Sequence, residues 1–284
     1  MSEVVLRATD LRCAYPNQLG IALQIDDFSL IRGNTHFVLG RSGIGKSTLI
    51  ESLGLMEQTA QPHADSSVEL VTQKASHDLM NMWTQAPSKL AEFRQKHFSF
   101  IFQSTNLLPH LTLKENVLMP AWIAGVQDEE NLDVEFEGMF QRLLREIPKS
   151  EWNKDVTAIS GGQRQRLAFM RALMSPFSVL FGDEPTGNLD AWKADQAMSL
   201  LNSELKLKNG TACIVSHDIP LALKYADAIH LLTPAFERDC EIPYGQLKPE
   251  NEFFKVQGGW QSKSGKLWNS EQLKTQLNRA LIES

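Results

Sequence analysis

Nine consecutive residues, GRSGIGKST from Gly40 to Thr48, have the types and spacing needed to bind phosphate groups. They fit the pattern G-x-x-x-x-G-K-S/T, in which glycines let backbone N–H groups converge on phosphate oxygens. Lys46 would add a positive charge, and the Ser47 hydroxyl would coordinate Mg²⁺. The pattern therefore predicts a P-loop that binds a nucleotide through its phosphates.

The residues on either side have the order that a P-loop requires. The apolar residues 37–39 predict a short buried strand ahead of the loop, and the apolar spacing of residues 48–53 predicts a helix behind it. The N-terminus of that helix would favour a bound anion through its dipole. The predicted nucleotide contacts are Gly40, Arg41, Ser42, Gly43, Ile44, Gly45, Lys46, Ser47 and Thr48.

A second anion-binding geometry is predicted within residues 159–173, whose sequence is ISGGQRQRLAFMRAL. Ser160, Gly161 and Gly162 would open a helix there, with Gln163 in its first turn. A hydroxyl and backbone N–H groups at a helix N-terminus suit an anion. Two independent anion motifs in one chain need a joint explanation.

Two adjacent carboxylates, Asp183 and Glu184, follow a predicted buried strand at residues 178–181. Next to a bound nucleotide, Asp183 would hold Mg²⁺ and Glu184 would orient the water that attacks a γ-phosphate. A surface acidic turn is the alternative interpretation. The apolar strand ahead of the pair, in a chain with a P-loop, argues against it.

Gln103 and His217 also follow predicted buried strands, at residues 98–102 and 212–215. Polar side chains at the C-terminal edge of a sheet are placed to reach a metal ion or a water. Of the seven histidines, this pattern places only His217 for chemistry. We interpret the other six as surface or packing residues: His36, His63, His77, His97, His110 and His230.

Length and composition restrict the class of protein. A chain of 284 residues can bury a substantial core in one large domain. The net charge of −6 argues against sequence-independent binding of nucleic acid. No stretch approaches 18 apolar residues, and the first ten residues do not have the pattern of a signal peptide, so we expect a soluble, cytoplasmic protein. Cys13, Cys213 and Cys240 are too few and too far apart for a disulfide framework or a zinc site.

The order of predicted elements favours an α/β fold. Residues 4–39 alternate apolar segments with turns at residues 26–27 and 32–34, which predicts an antiparallel strand layer. A helix is predicted from Ser88, its N-cap, to Lys96. Residues 106–147 predict a mostly helical insertion with a solvated acidic run.

The ordered motifs of the chain resemble those of the ATP-binding subunits of ABC transporters, over about residues 4–233. These motifs are GRSGIGKST, IFQ, ISGGQRQR, VLFGDEPTGNLD and IVSHD. The segments NLLPHLTLKENVLMP and DEPTGNLD are most similar to the lipoprotein-release, macrolide-export and cell-division group. The resemblance implies an α/β P-loop NTPase core with a mixed sheet, an antiparallel β layer and a helical signature-motif subdomain at about residues 104–172, within an ATPase domain of residues 1–236.

The resemblance also implies roles for single residues. Tyr15 would stack on the adenine, Gln103 would sense Mg²⁺ and the attacking water, and His217 would contact the γ-phosphate. Residues 160–163 would form the signature motif, which contacts the nucleotide bound to the opposite subunit. Asp190 would communicate across that subunit pair. The catalytic group would be Glu184, His217, Lys46 and Gln103, and the Mg²⁺ ligands would be Ser47, Gln103 and Asp183.

The implied function is hydrolysis of ATP, with Mg²⁺, by a subunit that moves a transmembrane permease partner. The expected partners are a second, identical ATP-binding subunit and that permease, at the inner face of the cell membrane, and no nucleic acid. The alternative is a soluble ABC protein of DNA repair or translation. Such proteins usually have two cassettes or a long coiled coil, whereas this chain has one cassette and no heptad run.

The chain departs from the family pattern at two places, and it continues beyond the region that resembles the family. Ile159 stands where leucine usually opens the signature motif, which nearly conserves volume, so we expect full competence. Residues 56–73 lack the usual Ser-Gly-Glu turn, so we expect a local rearrangement there. Residues 237–284 form an extension, predicted to be irregular up to a helix at residues 270–282. That helix would either pack on its own domain or contact the paired subunit or the membrane partner.

Overall fold

The computed structural model describes residues 3–16, 20–61, 65–236 and 242–282. Two β-sheets and nine α-helices make up its regular structure within these ranges. The strands are β1 (Val4–Cys13), β2 (Leu23–Ile31), β3 (Thr35–Leu39), β4 (Ala60–Gln61), β5 (Ser67–Val71), β6 (Ser76–Asp78), β7 (Phe98–Ile101), β8 (Val179–Asp183), β9 (Thr211–Ser216), β10 (Ala228–Leu231), β11 (Thr233–Phe236), β12 (Pro243–Leu247), β13 (Glu252–Val256), β14 (Gly259–Ser262) and β15 (Leu267–Trp268).

The helices connect and cover these strands. They are α1 (Lys46–Leu53), α2 (Leu79–Met82), α3 (Pro87–His97), α4 (Leu113–Ile123), α5 (Glu129–Leu143), α6 (Gly161–Met174), α7 (Ala191–Lys208), α8 (Ile219–Tyr225) and α9 (Ser270–Ile282). Within the described ranges, no helix combines the length and the apolar character needed to cross a membrane.

The larger sheet has eight strands in the order β15-β14-β13-β10-β3-β9-β8-β7. Its five strands from β10 to β7 pair in parallel. Every residue of β3 and β9 is buried, as expected for strands covered on both faces. Because the strands are parallel, the residues that follow β3, β7, β8 and β9 emerge at one edge of the sheet. These are the predicted site residues.

The smaller sheet contains the predicted antiparallel layer, with one difference. β2 continues through Asp26 and Asp27, where we predicted a turn, and Asp27 lies opposite Thr9 on β1. The Asp27 carboxylate is paired with Arg7 at 3.3 Å and with Lys263 at 2.8 Å, so the strand can contain it. The turn predicted at residues 32–34 is present, and Gly33 adopts a φ of 78° in it.

The helical insertion predicted at residues 106–147 contains α4 and α5, whose apolar faces share one core with α6 and the larger sheet. The helix predicted from Ser88 starts instead at Pro87, with Ala86 as its N-cap. Proline is favoured at the first helical position because its φ is already helical and it has no N–H to satisfy. The N-cap prediction was therefore wrong by two residues.

The C-terminal extension is regular rather than irregular before its helix. β12 pairs in parallel with β2, and β13 pairs antiparallel with β10, so the extension adds strands to both sheets. Helix α9 has the predicted bounds, and Leu273 and Leu277 are fully buried in the main core. This arrangement is the packing on its own domain that we considered for the helix. Cys13 and Cys213 are free and buried, whereas Cys240 lies outside the described residues.

A buried polar chain joins the extension to the central sheet. The backbone N–H of Ile31 donates to His36 Nε2 at 2.9 Å, which leaves the proton of a neutral ring on Nδ1. His36 Nδ1 lies 2.9 Å from His230 Nε2, and His230 Nδ1 lies 3.4 Å from the Glu252 carboxylate. Lys263 pairs with Glu252 at 3.1 Å. The chain of contacts thus ends in an ion pair supplied entirely by the extension.

We predict that Glu252→Gln destabilises the fold. Glu252 is fully buried, so the amide would remove the negative charge that pairs with Lys263 and bury an NH2 donor in its place, at a cost of about 1–3 kcal/mol. Glu250→Gln is the matched control, because Glu250 is exposed in the same segment. Urea unfolding of both variants measures the difference, and equal midpoints for the two would contradict the role of Glu252.

The buried histidine pair also predicts a pH dependence. Burial, and then the neighbouring His230, hold the pKa of His36 well below its ordinary 6.5. Below about pH 6.5, His36 binds a proton in the unfolded chain but remains neutral in the folded chain. The free energy of unfolding therefore falls as the pH falls, by up to about 1.4 kcal/mol per pH unit. It is fully regained above pH 6.5.

Unfolding midpoints between about pH 7.5 and 5.5 measure this slope. His36→Asn lacks the titrating ring, so its slope should be flatter, although its stability at neutral pH is lower. An identical slope in the variant and the unmodified chain would assign the pH dependence to other groups.

Candidate active site

The P-loop connects β3 to α1 through glycines in backbone conformations that other residues rarely adopt. Gly43 and Gly45 have φ values of 78° and 92°. A β-carbon on Gly45 would lie 2.8 Å from the Ala22 carbonyl oxygen, so glycine is required there for space as well as conformation. Gly45 is also the N-cap of α1, which directs the helix N-terminus at the loop.

Lys46 lies at the centre of this loop and is largely buried. Its ammonium donates to the carbonyl oxygens of Gly40 at 2.9 Å and Arg41 at 2.7 Å. Burial lowers the pKa of Lys46, while the carboxylates of Glu184 and Asp183 oppose that shift. The side chain therefore spans the loop and places a positive charge where the sequence predicts phosphate.

Ser47 and Asp183 are the structural basis for a Mg²⁺ site. The Ser47 hydroxyl donates to the Asp183 carboxylate at 2.9 Å, and Gln103 lines the same cavity. Hydroxyl, carboxylate and amide oxygens are the hard ligands that Mg²⁺ prefers, and phosphate oxygens and water would complete its octahedron. The described residues contain no cluster of three His, Cys, Asp or Glu side chains that could bind a metal without a nucleotide.

Glu184 and His217 form a pair at the adjoining strand ends. His217 Nδ1 lies 2.8 Å from a Glu184 carboxylate oxygen, and the Ser216 hydroxyl lies 3.5 Å from the other oxygen. The Glu184 side chain is 15% exposed and the His217 side chain 71%. Glu184 also has a φ of 46°, a strained conformation of the kind that concentrates at functional sites. A shielded carboxylate held by a more open imidazole suits the orientation of a water molecule.

One cavity of about 780 Å³ unites most of the predicted site residues. Its lining includes Gly40, Arg41, Ser42, Gly43, Gly45, Lys46, Ser47, Thr48, Gln103, Asp183, Glu184 and His217. It also includes four residues that the sequence did not indicate, namely Gly187, Ile219, Asn278 and Leu281. The last two belong to α9 and have no motif that could have marked them.

Besides the signature motif, two predicted nucleotide contacts, Ile44 and Tyr15, do not line this cavity. Ile44 is buried among apolar residues beneath the loop. The Tyr15 hydroxyl bonds to the Thr48 hydroxyl at 3.0 Å and to the Glu51 carboxylate at 2.6 Å. Burial and Glu51 raise the pKa of Tyr15 to about 12. These bonds fix the phenol against α1, so an adenine could meet only a face of its ring.

The signature motif does not line the cavity of its own subunit. Ser160 is the N-cap of α6 and forms a capping box with Gln163: its hydroxyl accepts from the Gln163 amide at 3.3 Å, and the Gln163 side chain accepts from the Ser160 amide at 2.9 Å. Ser160 and Gly161 are exposed. The motif is thus an open helix N-terminus available to another molecule.

Two contacts that the sequence did not indicate connect the site to the helical insertion. Gln165 donates to the Pro185 carbonyl oxygen at 2.8 Å, which ties the signature helix to the segment after Glu184. Arg171 donates to the carbonyl oxygens of Thr105 and Asn106, which holds the segment after Gln103. A movement of α6 would therefore displace the segments that follow both Gln103 and Glu184.

Comparisons with known proteins agree with this geometry. The family model described as ABC transporter matches residues 23–187. A lipoprotein-releasing system ATP-binding protein of Leptospira interrogans is 33% identical over 231 residues, which are 80% of this chain and 88% of that protein. A macrolide export ATP-binding/permease protein of Shigella flexneri is 34% identical over 258 residues, which are 90% of this chain and 36% of that protein. The chain spans about a third of the length of such macrolide export relatives.

Solved structures are similar over the same region. A dimeric bacterial ABC transporter cassette has a TM-score of 0.66 and 25% identity, over 80% of this chain and 93% of that chain. A post-hydrolysis state of that cassette, bound to ADP and Pi, has a TM-score of 0.65 with the same identity and coverage. The resemblance expected from the motifs is confirmed: the chain belongs to the ABC transporter family, and it forms an ABC-type ATPase domain.

Proposed function

We propose that this chain is the ATP-hydrolysing subunit of a transporter complex and works at the inner face of the cell membrane. In this proposal two subunits bind MgATP between them and transmit their closure to an integral membrane partner. The observation that carries it is one cavity in which Lys46, the Ser47–Asp183 pair and the Glu184–His217 pair meet. Phosphoryl transfer to water needs these three components.

The proposed reaction depends mainly on positioning and charge. Lys46 would exchange its two loop carbonyls for phosphate oxygens, and the α1 amides would bind the phosphates beside it. Ser47 and Asp183 would hold Mg²⁺, which neutralises phosphate charge. Glu184 would orient the attacking water and accept its proton, with His217 fixing the carboxylate. Breaking the bond to the γ-phosphate then releases ADP and phosphate.

The exposed signature motif supports action by a pair of subunits. Ser160 lies outside the cavity of its own chain, and in this proposal a second chain brings its α6 N-terminus to the γ-phosphate. The dimeric form of the structurally similar cassette agrees with such a pair. We infer a head-to-tail pair of identical subunits with two composite sites.

An apolar groove supports the proposed membrane partner. It has a volume of about 340 Å³ and lies between β7, α3 and α4, and its lining includes Phe102, the residue before Gln103. Ile123 is 59% exposed at its rim, and Arg171, which holds the segment after Gln103, also lines it. The relatives named ATP-binding/permease proteins combine a cassette with a permease. We assign the groove to a permease segment, because a partner seated there would contact the segment that senses the nucleotide.

Glu184→Gln should retain ATP binding while losing turnover by on the order of a hundredfold or more, because the water loses its proton acceptor. The closed dimer should then accumulate with ATP. Phosphate release and size-exclusion chromatography with MgATP measure these effects, and Glu129→Gln on the exposed face of α5 is the control. Near-normal hydrolysis by Glu184→Gln would contradict the assignment.

Ile123→Asp should weaken attachment to membranes without changing the ATPase activity of the free subunit. A carboxylate in the apolar groove must be desolvated when the partner docks, which we expect to cost about tenfold in binding. Val134→Asp is the control, since Val134 is 70% exposed on α5 outside the groove. Cofractionation with native membranes measures attachment. Equal attachment of both variants would exclude the groove as the docking site.

A further inference from the structure

Helix α9 is fixed to the domain along most of its length. Asn269 caps its first turn: its side chain accepts from the Gln272 amide at 2.8 Å, and the Gln272 side chain accepts from the Asn269 amide at 3.0 Å. Leu273 and Leu277 follow at helical spacing and are fully buried in the main core. The position and direction of the helix are therefore set before its last turn.

The end of α9, defined here as residues 278–282, reaches the nucleotide cavity. Asn278 and Leu281 line the same cavity as the P-loop residues. The Arg41 Nε donates to the Leu281 carbonyl oxygen at 3.0 Å. Helix α9 also packs on α8, and Ile219 at the start of α8 lines the same cavity as the end of α9.

The partial negative charge at the C-terminus of α9 would disfavour the binding of a nucleotide beside it. The last four carbonyl groups of a helix have no partner within it and carry its partial negative charge. Leu281 belongs to this group, and its carbonyl faces a loop that is built to bind phosphate anions. The Leu281 carbonyl oxygen thus accepts a hydrogen bond from Arg41 at the place where the negatively charged phosphates of ATP would bind.

The extension also contacts the second half of the P-loop. A β-carbon on Gly245 of β12 would lie 1.9 Å from the Ile44 carbonyl oxygen, so this strand is packed directly against the loop. Strand β12 is held by its pairing with β2 and β11. The firm contact at Gly245 leaves the end of α9 as the part of the extension that could withdraw from the loop.

We propose that the end of α9 is an autoinhibitory contact. In the resting subunit it holds Arg41 and narrows the nucleotide cavity, and it withdraws when ATP binds and the signature motif of a second subunit closes over the phosphates. The buried leucines keep the rest of the helix in place during this movement. The inference deepens the proposed ATPase function and rests on it.

Deletion of residues 278–284 tests the proposal, because it removes the end of α9 and keeps Leu273 and Leu277. The truncated chain should bind a fluorescent ATP analogue about two- to fivefold more tightly than the full chain, as expected for releasing Arg41 and moving the negatively charged helix end one turn back from it. Its phosphate release at limiting ATP should rise by a similar factor. Weaker binding after truncation would overturn the proposal and make α9 a contributor to nucleotide binding.

Two matched substitutions in the full chain guard against a folding effect. Asn278→Asp adds a negative charge in the cavity wall and should weaken binding of the ATP analogue by about two- to fivefold. Gln276→Glu adds the same charge on the exposed face of α9 and should leave binding unchanged. Equal effects of the two would overturn the placement of the end of α9. Thermal unfolding of each variant confirms that the fold is retained.

The possible outcomes distinguish a failure of the autoinhibitory contact from a failure of the proposed ATPase function. If the full and truncated chains hydrolyse ATP with equal affinity and rate, the autoinhibitory contact is disproved and the ATPase function stands. If neither chain hydrolyses ATP under any condition that supports dimer formation, the proposed function fails and the inference fails with it.

Discussion

The parallel pairing of β3, β9, β8 and β7 is the constraint on which the site depends. It brings the ends of four strands, distant in sequence, to one edge of a sheet whose central strands are wholly buried. Lys46 and Glu184 can then lie in one cavity, although they are far apart in the sequence. Because the strands are packed on both faces, the geometry at the edge is rigid, which a reaction based on positioning requires.

The residues at this edge could be predicted because each is adjacent to a buried apolar strand of recognisable length. The N-cap of α3 was predicted wrongly although the proline beside it is a local signal, and the other predictions failed where distant contacts decide the local structure. Asp27 remains within β2 because Lys263, far along the chain, pairs with it. The extension forms strands because β2 and β10 offer free edges to β12 and β13. Nothing in the types or spacing of Asn278 and Leu281 indicates that they lie beside the P-loop.

The extension gives this cassette a second set of contacts around its nucleotide cavity. Gly245 packs under the P-loop and Leu281 bonds to it from the side, while Glu252 and Lys263 anchor the intervening hairpin. The extension therefore contributes part of the surroundings of the P-loop. If the end of α9 is the autoinhibitory contact that we propose, then nucleotide binding, closure of the subunit pair and the position of α9 would be linked equilibria, since each would depend on the same loop.

The central claim is that each ATP site is completed by a second chain, and a mixing experiment tests it most directly. Subunits carrying Ser160→Arg retain a working P-loop, and subunits carrying Lys46→Ala retain a working signature motif. Each alone should be inactive. Mixed in equal amounts, they should regain phosphate release up to about a quarter of the normal rate, because half of the pairs would contain one intact composite site. A mixture as inactive as its components would contradict the account.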